Sequence, residues 1–227
     1  MNPRFWLAVY DSDAQKIAEP DTPVEVLRFI AQTPDTQPYN YYSFAAQNPA
    51  APPDVLEGFF ARFGLRTPTK QSLYILEHLA KNNATSSDLL SRLYDHLEEV
   101  GDAEYETRLE TKRTHWRKAL EAQYAAVANP NFPVDRLREI GQRRGSTSEL
   151  EAVASNPNAP ADVVAVLAES GFDEVWEAAY KNPNLPLEVL KRHSGSAHTP
   201  TQRQAASLAL VMRQQKDRKS SSKKKSL

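Results

Sequence analysis

The chain has 227 residues, 40% hydrophobic and 25% charged, with a formal net charge of −1, the profile of an ordinary globular protein. It contains no cysteine, which excludes disulfides, thiolate zinc sites, iron–sulfur clusters and cysteine nucleophiles. No apolar run approaches the roughly 18 residues a membrane helix needs, and the apolar patch in residues 1–10 is too short for a signal peptide and is followed at once by acids. No membrane association is therefore expected, and a cytoplasmic location is.

Sixteen prolines stand against seven glycines, a ratio that suits a chain marking many helix N-termini. In chain order, Pro20-Asp21-Thr22-Pro23 leads into a stripe of Val26, Leu27 and Ile30, and Asn48-Pro49-Ala50-Ala51-Pro52 into Val55, Leu56, Phe59 and Phe60. A helix carrying Leu73, Ile75, Leu76 and Leu79 precedes Asn82-Asn83-Ala84-Thr85, a copy without proline. Charged residues crowd positions 95–115, and a single long helix is expected from about 103 to 128. Asn129-Pro130-Asn131-Phe132-Pro133, Asn156-Pro157-Asn158-Ala159-Pro160 and Asn182-Pro183-Asn184-Leu185-Pro186 then follow, each between two short apolar faces. A terminal helix is expected near 200–216 and a disordered Lys/Ser-rich tail over 217–227, so residues 1–216 read as one repeat domain.

The turn has a physical reading. A residue before proline is pushed out of the α region, which ends the preceding helix. Asparagine favours the tight turn, and the second proline suits the first helical position. Glu25, Asp54, Asp88, Asp135, Asp162 and Glu188 stand two residues after that position in all six copies, where a carboxylate meets the free N–H groups of the first turn. Thr22 with Glu25, Ser146 with Glu149 and Thr199 with Gln202 have the form of capping boxes. Asn48, Asn82, Asn129, Asn156 and Asn182 either form a ladder of hydrogen bonds between successive turns or serve each turn locally. The reference positions Pro20, Pro49, Asn83, Pro130, Pro157 and Pro183 are 29, 34, 47, 27 and 26 residues apart. Such helix pairs cannot bury their apolar faces alone and must stack.

Asn-Pro-Asn-x-Pro followed by an acid and Val-Leu resembles the variant leucine-rich repeat family, over roughly residues 17–193. The resemblance implies an all-α, right-handed solenoid of short helix pairs, α-helices alternating with 3₁₀ helices and stacked in the manner of HEAT repeats. Some family members carry an iron–sulfur segment, which a chain without cysteine cannot hold.

No catalytic constellation is visible. The five histidines show no metal-ligand spacing, and there is neither a glycine-rich phosphate loop nor a nucleophile elbow. No enzyme activity, metal or cofactor is expected. Trp116 lies among Lys112, Arg113, Arg117 and Lys118; it either packs with Leu120 or offers an aromatic surface ringed by cations. Arg143 and Arg144 form a small basic pair. Residues 213–227 hold seven basic side chains, Lys223, Lys224 and Lys225 among them, against one acid, leaving −7 on the rest of the chain. This tail is either a solubilising extension or an electrostatic contact to acidic surfaces. The charged insert is either a solvated face or a docking arm.

These residues favour a non-enzymatic scaffold that holds a protein or peptide along its concave face and irregular insert. The alternative is a nucleic-acid-binding repeat protein using the tail and the basic patch around Trp116. The candidate contacts are Arg113, Trp116, Arg117, Arg143, Arg144, Lys223, Lys224 and Lys225.

Overall fold

The computed structural model describes residues 10, 13–33, 39–64, 68–106, 110–143, 145–196 and 199–224, and the side chains of 102–115 and 217–224 lie outside the description. Every regular element among the described residues is a helix, and they hold no strand. The protein is an all-α helical repeat, and it divides into two compact units at Pro133.

The first unit begins with a 3₁₀ helix, Ala14–Ala18, followed by α1 (Val24–Gln32), α2 (Tyr39–Gln47), α3 (Pro53–Phe63), α4 (Lys70–Lys81), α5 (Ser87–Glu106) and α6 (Glu110–Ala128). The 3₁₀ helix, α2, α4 and α6 pack in sequence as one row, with α1 beside α3 on the other side of the turns. The predicted stripes all face inward: Val26, Leu27, Ile30, Leu56 and Phe59 are fully buried. The single long helix expected from 103 to 128 is instead two. The insert lengthens both α5 and α6, which pack along one another. The charged positions of the insert itself fall largely outside the described side chains.

The second unit comprises α7 (Val134–Gln142), α8 (Thr147–Ser155), α9 (Ala161–Leu167), α10 (Asp173–Lys181), α11 (Leu187–Ser196) and α12 (Pro200–Lys224). Here α8 packs on α10, α7 touches α9, and α12 lies against α11 and α10. Trp176 and Leu190 anchor the core. Gly141 permits the close approach of α7 to α9, since a Cβ there would stand 2.4 Å from Cγ1 of Val163. The terminal helix runs past the expected end at 216 to Lys224; no proline or glycine interrupts the sequence after Pro200 to stop it. Lys225 lies outside the described residues. Where the resemblance implies alternating 3₁₀ helices, the described residues hold one, Ala14–Ala18, and every turn downstream leads into an α-helix.

The asparagine ladder exists, and it explains the turn. In the first unit the Asn48 amide donates to the carbonyls of Ile17 and Glu19 at 2.8 and 2.5 Å. Asn82 does the same to Ala46 and Asn48, and Asn129 to Ala80 and Asn82. In the second unit Asn182 donates to Ala154 and Asn156 at 2.7 Å each. Each Oδ1 meanwhile accepts from the N–H two residues on, as in Asn82 to Ala84 and Asn182 to Asn184, both 2.8 Å. Both donors and an acceptor of a buried amide are thus used, which is what makes its burial affordable. The second asparagine builds an outer rail: Asn131 donates to Asn83 and Thr85, and Asn184 to Pro157 and Ala159.

Three expectations change. Asn82 opens the proline-free copy and keeps the same extended backbone, φ −74° and ψ 122°, so the amide rather than the proline carries the turn. The second proline sits one residue before the helix and not inside it: Pro23, Pro52 and Pro160 have extended ψ of 134°, 159° and 143°. Its carbonyl accepts the first helical bond, as Pro23 does from Val26. Thr22 consequently forms no capping box; its hydroxyl donates back to Lys16 O at 2.8 Å, as Thr85 does to Leu79 O at 2.6 Å. The variable residue of the motif is buried in every copy, as Thr22, Ala51, Thr85, Phe132, Ala159 or Leu185. The capping box at Thr199 and Gln202 is present, with bonds of 3.2 and 3.1 Å. Ser146 accepts from the Glu149 N–H, while the Glu149 carboxylate is held by Arg143 at 2.7 Å. A further box, Thr69 with Ser72, escapes a search for Glu or Gln at the third position.

Candidate binding groove beside the terminal helix

The terminal helix is attached by a substitution in the ladder. The Arg213 guanidinium donates to the carbonyls of Asn182 and Leu185. Asn182 O is the atom a next ladder asparagine would take, and Leu185 O corresponds to Ala159 O, which the outer rail takes through Asn184. One arginine thus takes one carbonyl from each rail, because its planar fork carries several donors in fixed directions.

Held there, α12 leaves a groove of about 700 Å³ between itself and α10. Tyr180 and Pro183 on one side, and Ala205, Leu208, Ala209 and Met212 on the other, make it apolar, while Glu177, Lys181, Arg213 and Lys216 give it polar edges. Lys181 stands 3.7 Å from Glu177. Leu208, Val211 and Met212 are 61%, 48% and 63% exposed. Alanine, leucine and methionine recur at intervals of three and four residues along α12, so the exposed stripe follows one helical face.

A polar chain starts from Tyr180 in the groove wall. The Tyr180 hydroxyl is 2.7 Å from Nδ1 of His193, and Nε2 of His193 is 3.0 Å from Oε1 of Glu169. Arg192 donates to the same carboxylate. A histidine that donates from Nε2 to Glu169 and accepts at Nδ1 from Tyr180 satisfies every member. Burial, with the Glu169 charge added, pushes the Tyr180 phenol up to about 12. Tyr180 and His193 are 3% and 2% exposed while Glu169 reaches the surface, and the Tyr180–His193 bond joins α10 to α11. Nothing local in the sequence reveals that Tyr180 and Glu169 surround His193.

Of the residues singled out in the sequence, Trp116 and Arg117 in the first unit and Arg143 in the second have described side chains. Trp116 is partly buried on α6. Arg117 lies 3.6 Å from Glu121, and Lys118 is held by Glu121 and Glu77 and lies 4.4 Å over the Tyr74 ring. The cations flanking Trp116 on its C-terminal side are therefore matched by carboxylates. Burial works to raise the Glu77 carboxyl, but the hydrogen bond and charge of Lys81, together with Lys118, hold it below the usual range. Arg143 fastens the start of α8 through Glu149. Arg113, Lys223 and Lys224 lie on helical backbone with side chains outside the description, and Arg144 and Lys225 lie outside the described residues. The signal that could have found the groove is the spacing of Leu208, Val211 and Met212 within the expected terminal helix.

Among the described residues no group of histidine and carboxylate side chains is arranged to hold a metal ion, and no helix is long and apolar enough to cross a membrane. No family model, curated protein or solved structure matches the chain.

Proposed function

We propose that this chain is a non-enzymatic scaffold of the variant leucine-rich repeat type that binds a protein or peptide, and that the groove between α10 and α12 is where the partner docks. The observation that carries the reading is the exposure of Leu208, Val211 and Met212 within five residues of one helix, beside a groove with an apolar floor. Contiguous apolar exposure marks a contact surface. Scattered single residues such as Val166 need no such explanation.

Placing a photo-reactive amino acid at position 208, with position 166 as the exposed control, tests this in the cell of origin. A discrete protein adduct is expected at 208 and not at 166. Adducts of equal yield at both positions, or none at 208, overturn the reading. The nucleic-acid alternative draws on the basic tail and the basic patch around Trp116; it predicts a salt-sensitive mobility shift with DNA or RNA, unaffected by Leu208→Glu.

A further inference from the structure

The groove changes character along its length. On α12 the lining residues Ala205, Leu208, Ala209 and Met212 give way to Arg213 and Lys216. The stripe is apolar for its first two turns and basic thereafter. From Ala205 to Lys216 it spans about 16 Å at the rise of an α-helix, the length of three helical turns. Across the groove, α10 contributes Glu177, Tyr180 and Lys181 at the same spacing, so both walls are helical ridges with a channel between them.

Resting on the docking role proposed above, we infer that the groove takes an amphipathic α-helix of a partner protein, apolar at one end of its contact face and acidic at the other. An apolar floor with spaced ridges fits the i, i+3, i+4 face of a helix. The basic end calls for carboxylates, since the edges hold three cations and one acid, Glu177, and that acid already lies beside Lys181. A second copy of α12 is the poorer occupant. It carries no acid in its first turn, and its far end repeats the same excess of lysine and arginine; parallel packing sets like charges together and antiparallel packing finds no carboxylate. A nucleic acid is poorer too, because the first two turns offer it no cation.

The test uses the full chain and a fluorescein-labelled peptide of about four helical turns, with leucines on one face of its first half and glutamates on the same face of its second. A twin carries lysine in place of glutamate. Fluorescence anisotropy is expected to show the acidic peptide binding at least about tenfold more tightly than its twin, a preference of about 1.4 kcal/mol. Leu208→Glu and Met212→Glu are expected to abolish binding, and Lys216→Glu to narrow or reverse the preference. Leu208 and Met212 are mostly exposed, so circular dichroism of both variants should match the parent. If the lysine twin binds equally well and depends on Leu208, the docking reading stands and the acidic partner does not. If neither peptide binds in a Leu208-dependent way, both fall. A concentration-dependent dimer abolished by Leu208→Glu makes a second copy the occupant and overturns the inference.

Discussion

The guanidinium of Arg213 occupies the position on the carbonyl of Asn182 that the ladder reserves for the asparagine of a following repeat. The last repeat is thereby closed by an arginine from a helix that carries no turn of its own. The first copy shows the complementary economy: it has Glu19 where the others have asparagine, and the carbonyl of Glu19 accepts from Asn48. Arg213→Ala is expected to free two carbonyls and cost about 1–3 kcal/mol in urea unfolding. It should also raise hydrogen–deuterium exchange along α12 ahead of the rest of the second unit. Arg213→Lys should recover less than half of the loss, because a single ammonium cannot fork to both carbonyls.

Asn182→Ala removes both bonds to the carbonyls of Ala154 and Asn156 and the bond from the Asn184 N–H. All three groups lie in or beside the core, and a loss of about 2–4 kcal/mol is expected. Asn184→Ala acts on the exposed outer rail and should cost about 1 kcal/mol. Equal effects at the two positions in urea titrations would contradict the inner ladder as the main fastening.

Gly141→Ala separates packing from propensity. In a helix interior the change ordinarily stabilises by about 0.5–1 kcal/mol. Here the new methyl meets Val163 at 2.4 Å, so a destabilisation of about 1–3 kcal/mol is expected. Adding Val163→Ala should make the glycine substitution harmless again, which a double-mutant cycle on thermal stability reads directly.

Tyr180 sets an alkaline limit. Its phenol is raised above the unfolded value, so the stability it contributes is fully present below about pH 10 and is lost as pH rises toward its folded value of about 12. The difference in unfolding free energy between the protein and Tyr180→Phe should therefore be constant below about pH 10 and shrink above it. A difference that stays flat through that window would show the phenol to be solvated.

Much of the architecture was legible because it is local. A proline restricts its own φ and its neighbour's backbone, and an apolar stripe at helical spacing declares its face within a dozen residues. Val26, Leu27 and Ile30 accordingly lie where the periodicity puts them, and so do Val163, Val164 and Leu167. The failures were local readings of partners that are not local. Thr22 has a capping box in sequence, yet its hydroxyl turns back to Lys16 because the residue at that place must enter the core. Arg143 reads as half of a small basic pair and a candidate contact, yet it is spent on Glu149.

By itself the sequence determined that this protein repeats a helix, an asparagine turn and a helix, and where each unit begins. Tertiary structure decided what the asparagines hold, why Gly141 is small, and that Arg213 and Tyr180 border one groove. The reason is distance along the chain: Asn182 reaches back 26 and 28 residues and Arg213 reaches 28 and 31. Hydrogen bonds closed over such loops leave no periodic trace, whereas the apolar spacing that drives each helix to stack does.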